Sequence, residues 1–533
     1  MYDIVISGGK VIDGSGAPAF DADVAVQDGM IAAVGDLKGA AAGRHIDAQG
    51  RVVAPGFIDS HCHSELALIA KPATESKTRQ GVTTEILGNC GWSAYPLADE
   101  TRHSIVQLAK PIFGYPEVQW AWSDLEGYFD HLAQRGTGVN VATLMGHGNL
   151  RAAVLGFDNR APNASELERM QLLAQQAMEQ GALGLSSGLC YVPGVYAATD
   201  ELVALAKVVG RSGGLYATHL RDQVDGLVDS VTEALDIGRQ AGTPVLISHH
   251  KTCGRRNFGK VRLTLGMLEQ ARGEGMKTYS DMYPYIAGST TIVMLLPPWV
   301  LEGGLDAMLS RLADPAQRRR MDHDWVHGLP GWENRVSAVG WESVSVSYVV
   351  TGRNRDVEGL TVPEGAALRG KSVCDFLCDL LIEERGEVGQ ILVNSCEEDM
   401  LMVLAHPYSM IGSDGIDAGD KPHPRQYSTF PKVLGELVRE RKAMTLEQAV
   451  HKMSGFTAQA FGLPGIGLVK RGMRADITVF DPATIRANAT FKDPRRFPDG
   501  IDWVLVNGKA AVAQGQSTGE LNGRMLRKRE KIS

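Results

Sequence analysis

The sequence predicts an α/β fold: a (β/α)8 TIM-like barrel with a small β-sandwich domain formed by both chain ends and an inserted lid subdomain. Three observations predict this fold. Short apolar segments alternate with helical patterns through the middle of the chain, polar residues close several of these segments, and β-rich segments with turns occur at both ends. In a parallel barrel, the C-terminal strand ends converge on one face, where functional residues gather.

Both ends of the chain carry the pattern of strands and hairpins. Near the N-terminus, short β-rich runs are separated by turns such as Asp28-Gly29, which is a hairpin signature. Near the C-terminus, the apolar runs at 476–481 and 503–512 have the same character. We therefore expect residues 1–54 and 466–533 to form one β-sandwich domain.

Between the two ends, eight apolar segments alternate with helical patterns such as 165–179 and 226–241. Eight such units suit a (β/α)8 barrel, which we place at residues 55–465. The predicted barrel strands are 53–60, 82–87, 139–145, 183–186, 214–218, 245–248, 277–280 and 409–412.

The last two predicted strands are separated by about 130 residues, which is too long for a single connection. We therefore expect an insertion at about residues 290–400 that acts as a lid or subdomain. Four tryptophans in this stretch either line a pocket or form the core of the insertion. They are Trp299, Trp325, Trp332 and Trp341.

Composition and charge exclude several classes of function. With 54 Lys and Arg residues against 62 Asp and Glu residues, the net charge is −8, which gives no electrostatic case for nucleic acid or an anionic membrane. A signal peptide and a run of about 18 apolar residues for a membrane span are not apparent. Seven cysteines lack the density of a disulfide framework. We therefore expect a cytoplasmic protein with a small-molecule partner; no pattern specifies an oligomeric state.

The first predicted barrel strand leads into His61-Cys62-His63. Successive side chains on a strand point to opposite faces, so the two histidines project to the same side. Three further potential ligands, Cys90, His219 and His249, each close another apolar run. Convergent imidazoles and a thiolate suit zinc, a borderline-soft ion that takes nitrogen and sulfur ligands.

Asp414 follows the last predicted barrel strand and supplies a carboxylate at the same face. A metal with an open coordination position polarises a carbonyl oxygen and lowers the pKa of bound water from about 15.7 to about 7. Asp414 can accept the proton of the water and return it to a leaving nitrogen. Together these residues predict metal-assisted hydrolysis of an amide.

Motifs spread in order over nearly the whole chain resemble those of the amidohydrolase superfamily, specifically the N-acyl-D-amino acid deacylases (D-aminoacylases). The Gly-Asn-Cys-Gly element separates this subgroup from relatives that bridge two metals with a carboxylated lysine. The matching stretches are Pro-Gly-Phe-Ile-Asp-Ser-His-Cys-His at 55–63, Gly-Val-Thr-Thr at 81–84, Gly-Asn-Cys-Gly at 88–91, Ala-Thr-His-Leu-Arg at 217–221, Ser-His-His-Lys at 248–251, Asp-Met-Tyr-Pro-Tyr at 281–285 and Gly-Ser-Asp-Gly at 412–415.

The resemblance implies a tight zinc held by Cys90, His219 and His249. It implies a second, weaker metal position at His61 and His63. Whether one or two metals are bound stays open at this point.

The resemblance also implies Asp414 as the catalytic acid and base. It implies an anchor for the α-carboxylate of the substrate at Lys251, Tyr283 and Arg425, and the planar guanidinium of an arginine can engage a carboxylate with two parallel hydrogen bonds. We add Ser289, in the stretch after the Tyr-Pro-Tyr element, to the substrate-binding residues.

The preference for a substrate side chain is predicted from that same stretch. Relatives that act on acidic D-amino acids tend to carry a basic residue there, whereas residues 288–297 contain none. We therefore expect a neutral, mainly apolar side chain. Arg353 or Arg355 in the insertion would reverse this expectation if either faced the pocket.

The leading hypothesis is zinc-dependent hydrolysis of N-acyl-D-amino acids to a carboxylate and a free D-amino acid. One alternative is a cyclic amidohydrolase of the hydantoinase or dihydroorotase type, against which the absence of lysine from 140–149 argues. The other is a catalytically silent scaffold, which would be expected to lose ligands or the base. All six positions, the five metal ligands and the base Asp414, are present.

Overall fold

The computed structural model describes residues 1–115 and 117–528, so Pro116 and the last five residues of the predicted 466–533 segment lie outside the described residues. Parallel strands run through the middle of the chain and are separated by helices. These strands are Phe57–Asp59, Val82–Leu87, Asn140–Thr143, Met145–Gly146, Gly184–Gly188, Leu215–His219, Val245–Ile247, Thr278–Met282 and Ser409–Ile411.

Each of the eight predicted strand segments overlaps at least one of these strands, and within each sheet successive strands of the series pair in parallel, as in the TIM-barrel class of α/β folds. The first three strands form one sheet and the remaining six form a second. Backbone hydrogen bonds link the two sheets, from Leu144 N to Leu87 O at 2.9 Å and from Leu183 N to Thr143 O at 2.9 Å.

The predicted strand 53–60 is wrong as a single strand. The chain forms Val52–Pro55, which pairs with Ile477–Phe480 near the C-terminus, and then Phe57–Asp59, which begins the parallel series. A Cβ atom at Gly56, between them, would lie 2.2 Å from the side chain of Thr83. Glycine at this position therefore lets the chain pass close to the neighbouring strand as it changes sheets.

Strands from both chain ends form two further sheets that share one buried apolar cluster. The cluster includes Ile6, Val24, Val479 and Leu505. The seven-stranded sheet contains Lys10–Val11, Phe20–Asp21, Val52–Pro55, Ile477–Phe480, Ile501–Val506, Lys509–Ala513 and Gln516–Ser517, and the four-stranded sheet contains Tyr2–Ser7, Asp23–Gln27, Met30–Gly35 and Ala42–Asp47.

The long connection after Thr278–Met282 builds its own three-stranded antiparallel sheet, in which Val388–Val393 lies between Ala287–Thr291 and Val344–Val349. Trp325 is buried and packs edge-to-face on Trp341, so these two tryptophans belong to the core of this segment. Its α-helices are Leu305–Ala313, Pro315–His327, Arg335–Val339, Val362–Leu368, Val373–Glu383 and Glu397–Ala405.

The helices between the parallel strands bury one face each. Leu227–Ala241, for example, buries Leu227, Val231 and Leu235 and ends at Gly242, whose φ of 64° suits glycine. Among the described residues, no helix combines the length and the apolar character that crossing a membrane requires. The α-helices outside the long connection are Ala67–Ala70, Glu75–Thr78, Asp99–Phe113, Leu125–Arg135, His147–Leu155, Ala164–Glu179, Thr199–Arg211, Leu227–Ala241, Lys260–Gly273, Arg425–Lys432, Leu446–Lys452 and Gly455–Phe461, and Val433–Glu440 continues one of them as a π-helix.

Candidate metal centre and substrate cavity

The structure brings together the five predicted metal ligands at the C-terminal ends of the parallel strands. The Cys90 Sγ atom lies 3.3 Å from His61 Nε2 and 3.4 Å from His249 Nε2, and His249 Nε2 lies 3.0 Å from His219 Nδ1. The ligand atoms of Cys90, His219 and His249 all lie within 4.8 Å of one another, as do those of His61, His63 and Cys90. Two overlapping groups of donors therefore share the Cys90 thiol.

Three residues of this centre have left-handed backbone conformations that non-glycine residues rarely adopt. The φ angles are 55° at Cys90, 34° at His249 and 49° at Asp414. Each of the three follows the end of a parallel strand, where the backbone turns and directs the side chain across the strand ends. Such conformations are costly and concentrate at functional sites.

The ionisation states of Cys90, His219 and His249 suit a metal, whereas at His61 and His63 the neighbouring carboxylates and thiol outweigh burial and raise the pKa. Burial lowers the pKa of His219 well below its usual range, and the nearby Arg335 lowers it further. Burial and then the charge of Lys251 lower the pKa of His249 well below its usual range as well. Burial alone would raise the pKa of the Cys90 thiol, but the neighbouring histidines outweigh it and the pKa is lowered. Neutral imidazoles and a thiolate are the forms that bind metal, and this donor set fits zinc.

Asp414 lies against the same centre with its two carboxylate oxygens in different surroundings. Its Oδ1 atom is 3.3 Å from His63 Nε2 and 3.5 Å from His61 Nε2, whereas its Oδ2 atom is 2.8 Å from Arg425 Nη1. Burial opposes ionisation, but Arg425 and then His61 hold the pKa of this carboxyl well below its usual range. Asp414 is therefore a carboxylate with one oxygen directed toward the centre.

The four predicted substrate-binding residues also meet at this site. Two cations lie close to the Tyr283 ring, with Arg425 Cζ 4.5 Å and Lys251 Nζ 5.4 Å from its centroid. The Tyr283 hydroxyl is buried and has no hydrogen-bond partner within residues 1–115 and 117–528. Arg425 Nη2 donates to the Ser289 carbonyl oxygen at 2.9 Å, so Ser289 contributes a backbone oxygen to this cluster.

One cavity joins the metal centre to Lys251, Tyr283 and Ser289, whereas Arg425 is fully buried and is not among its lining residues. Arg353 and Arg355 do not line it: both are exposed, and Arg355 lies 3.8 Å from Asp420 in a surface ion pair. The cavity is lined by His63, Cys90, Ile112, Tyr191, His219, His249, Lys251, Tyr283, Gly288, Ser289, Thr290, Arg335, Gln390, Leu392, Asn394, Asp414 and Ile416.

Sequence reasoning missed the groups that hold the histidines in place. Asp281 accepts a hydrogen bond from the His249 backbone N at 2.6 Å and lies 3.3 Å from His61 Nδ1. Asp281 comes one residue after the seventh predicted strand, 277–280, and this position could have identified it as a residue of the site.

Arg335 was also missed, because it belongs to the insertion and no local pattern distinguishes it. Its guanidinium is buried, lies 2.9 Å from His219 Nε2 and donates to Glu333 at 2.8 Å and to Gln223 at 3.2 Å. Arg335 is therefore a cation of the cavity wall whose charge is balanced by Glu333.

Comparisons with known proteins agree with this geometry. Residues 44–512 match the model of the amidohydrolase family. The chain is 38% identical to a D-aminoacylase of Alcaligenes xylosoxydans xylosoxydans over 98% of this chain and 97% of that protein, and 36% identical to an N-acyl-D-aspartate deacylase of the same organism over 98% and 95%.

Among solved structures, the N-acyl-D-glutamate deacylase of Bordetella bronchiseptica, complexed with zinc and a phosphonate inhibitor, superposes with a TM-score of 0.85. It is 34% identical, and 99% of each chain is covered. Similarity of this extent, in sequence and in fold, settles the family. The chain belongs to the amidohydrolase family and, within it, to the N-acyl-D-amino acid deacylases.

Proposed function

We propose that this protein hydrolyses the amide bond of N-acyl-D-amino acids with neutral or apolar side chains, releasing a carboxylate and a free D-amino acid. One observation carries the proposal: a buried group of Cys90, His219 and His249 shares a cavity with the ionised Asp414 and with a cationic anchor. The choice of the D-enantiomer is supported by the names of the relatives at 36–38% identity.

Zinc is the proposed cofactor, and its ligands would be Cys90, His219 and His249. His61 and His63, which share the thiol, would form a second, weaker position. When bound, zinc supplies a Lewis acid that polarises a carbonyl oxygen and makes water more acidic.

Asp414 is the proposed acid and base. Its carboxylate takes one proton from the attacking water as the new C–O bond forms, and it returns that proton to the nitrogen as the C–N bond breaks. Arg425 contacts the other carboxylate oxygen and keeps Asp414 ionised between turnovers. One carboxylate oxygen of Asp414 would therefore transfer the proton, and the other would hold the side chain in position through Arg425.

The α-carboxylate of the substrate would be held by Lys251, Tyr283 and Arg425, with Ser289 positioning the arginine. The supporting observations are the two cations close to the Tyr283 ring and the hydroxyl of that ring, which has no hydrogen-bond partner among the described residues. A hydrogen bond to a carboxylate is charge-assisted and about twice as strong as one between neutral groups.

The proposed division of the chain has three parts: a β-sandwich of residues 1–54 and 466–533, a barrel at 55–465, and a lid at about 290–400. The cluster shared by the two end sheets supports the first part. Gln390 and Leu392, which line the cavity from the insertion, support a lid. We also place the protein in the cytoplasm, since all seven cysteines are free thiols.

Release of free amine from paired N-acetyl-D- and N-acetyl-L-amino acids by zinc-loaded protein tests the function. We expect turnover of D-substrates alone, and loss of turnover in Asp414→Asn with the metal retained. Hydrolysis of cyclic imides without hydrolysis of open-chain acyl amino acids would contradict the proposal.

A further inference from the structure

The sheet of the insertion forms one wall of the cavity. Along its central strand, Val388–Val393, side chains alternate between the two faces, so Gln390, Leu392 and Asn394 point to the same side. All three line the cavity, together with Thr290 of the neighbouring strand. The chemistry of this wall therefore bears on which substrates are accepted.

The wall contains two buried amides with unused acceptors. The Gln390 side chain is fully buried, and its Nε2 atom donates to the Thr291 carbonyl oxygen at 3.3 Å, which identifies the other end of the amide as the oxygen. Neither Gln390 Oε1 nor Asn394 Oδ1 has a hydrogen-bond partner in the described part of the chain. Unpartnered buried acceptors are rare and costly, so they indicate a ligand that donates hydrogen bonds.

Charge restricts what that donor can be. A cationic side chain would enter a cavity that already contains Lys251 and Arg335. The two amide oxygens would repel an acidic side chain. Arg335 would not offset this repulsion, because it already donates a hydrogen bond to the carboxylate of Glu333 at 2.8 Å. A neutral side chain with N–H groups can donate hydrogen bonds to both amide oxygens without bringing an unpaired charge into the cavity.

We infer that Gln390 and Asn394 recognise a carboxamide on the substrate side chain, so that the preferred substrates are N-acyl derivatives of D-glutamine and D-asparagine. This inference rests on the proposed function and narrows its substrate class. The relatives named for N-acyl-D-aspartate and N-acyl-D-glutamate act on acids of the same shape, so a carboxamide matches the size that this family accommodates.

The experiment compares kcat/KM of zinc-loaded protein for N-acetyl-D-glutamine, N-acetyl-D-glutamate and N-acetyl-D-methionine, which is similar in length but lacks N–H donors. We expect glutamine to exceed each of the others by about tenfold or more, because one unpaired buried polar group accounts for a discrimination of that order. In Gln390→Leu, the glutamine-to-methionine ratio should fall by about tenfold.

Ile391→Val is the matched control, because Ile391 is the next residue on the strand and points to the opposite face. Its glutamine-to-methionine ratio should equal that of the wild type. Faster turnover of N-acetyl-D-glutamate would overturn the inference and implicate Arg335, and an unchanged ratio in Gln390→Leu would also overturn it.

Failure of the inference can be distinguished from failure of the proposed function. Turnover of N-acetyl-D-methionine without a preference for glutamine refutes the inference alone. If no acyl amino acid is hydrolysed, the proposed function is wrong, and calorimetric titration with free D-glutamine and D-methionine then decides whether the wall recognises a carboxamide. Equal binding of the two would refute it.

Discussion

Cys90, His249 and Asp414 show how single residues build this centre at a cost in backbone conformation. Each has a positive φ two or three residues beyond the end of a parallel strand, where an extended backbone would continue along the strand direction. The left-handed turn instead directs a thiol, an imidazole and a carboxylate toward one point. The strain is tolerated because the surrounding strands and the Asp281 hydrogen bond to the His249 backbone fix the geometry.

Replacement of Cys90 tests the ligand assignment. We expect Cys90→Ala to lose the tight metal, since its thiol is the donor common to both groups of ligands. Elemental analysis of purified protein should give about one zinc per chain for the wild type and none for the variant. Cys62→Ala is the control, because Cys62 is buried but its thiol faces the Ile86 carbonyl oxygen. A Cys90→Ala variant that retains a full equivalent of zinc would refute the assignment.

Removal of the Tyr283 hydroxyl tests the carboxylate anchor. Tyr283→Phe keeps the ring close to Lys251 and Arg425 and removes only the hydroxyl, which has no partner among the described residues. We expect KM for substrates with a free α-carboxylate to rise about tenfold, since a hydrogen bond to a charged group contributes about 1.5–3 kcal/mol. Steady-state kinetics on the matching methyl esters should show little change. An equal rise for acids and esters would contradict the anchor.

At the scale of elements, the ends of the parallel strands and the existence of an insertion were predictable, but the residues that the insertion places in the cavity were not. An apolar run followed by His, Cys or Asp marks a buried strand that ends at a polar face, so His219 and His249 could be placed from local pattern alone. Gly56 breaks the first predicted strand because of contact with Thr83, a neighbour that the sequence does not reveal. Arg335 and Gln390 reach the cavity only through packing of the insertion, which no local periodicity encodes.

The helix Thr199–Arg211 is tied to the helix His147–Leu155 by a buried charged group. Glu201 lies 2.8 Å from His147 and forms an ion pair with Arg151. Burial opposes ionisation of Glu201, but these partners lower its pKa below the ordinary value of 4.5. Because its folded pKa is lowered, Glu201 contributes stability that is present above pH 4.5 and lost as pH falls through the folded pKa.

We expect Glu201→Gln to lower the free energy of unfolding by about 3 kcal/mol at pH 7, because the buried Arg151 loses its charged partner. The difference from the wild type should narrow as pH falls below about 4.5. Urea unfolding at several pH values measures both. Glu179→Gln, an exposed site, should stay within about 0.5 kcal/mol of the wild type. A difference independent of pH would refute the role of the carboxylate.

For the whole molecule, side chains distant in sequence hold the parts together. Asp476, in the C-terminal segment, accepts hydrogen bonds from Asn140 of a parallel strand at 2.9 Å and from the Asn507 backbone at 2.7 Å. The metal centre also joins distant parts of the chain, at the opposite ends of the strands, because Cys90, His219 and His249 lie at or just after the ends of three separate parallel strands. A bound metal would therefore connect elements that are otherwise joined only by packing and strand pairing.

Metal binding should accordingly stabilise the fold as a whole. A ligand present at about 1,000 times its Kd and bound only by the native state adds about 4.1 kcal/mol. We expect chelation to lower the thermal unfolding midpoint of the wild type by several degrees, and added zinc to restore it, because the ligands converge only in the folded chain. Cys90→Ala should unfold near the temperature of the chelated wild type and respond little to chelator or zinc. If scanning calorimetry shows the same response to zinc in both proteins, the metal that stabilises the fold is not held by Cys90.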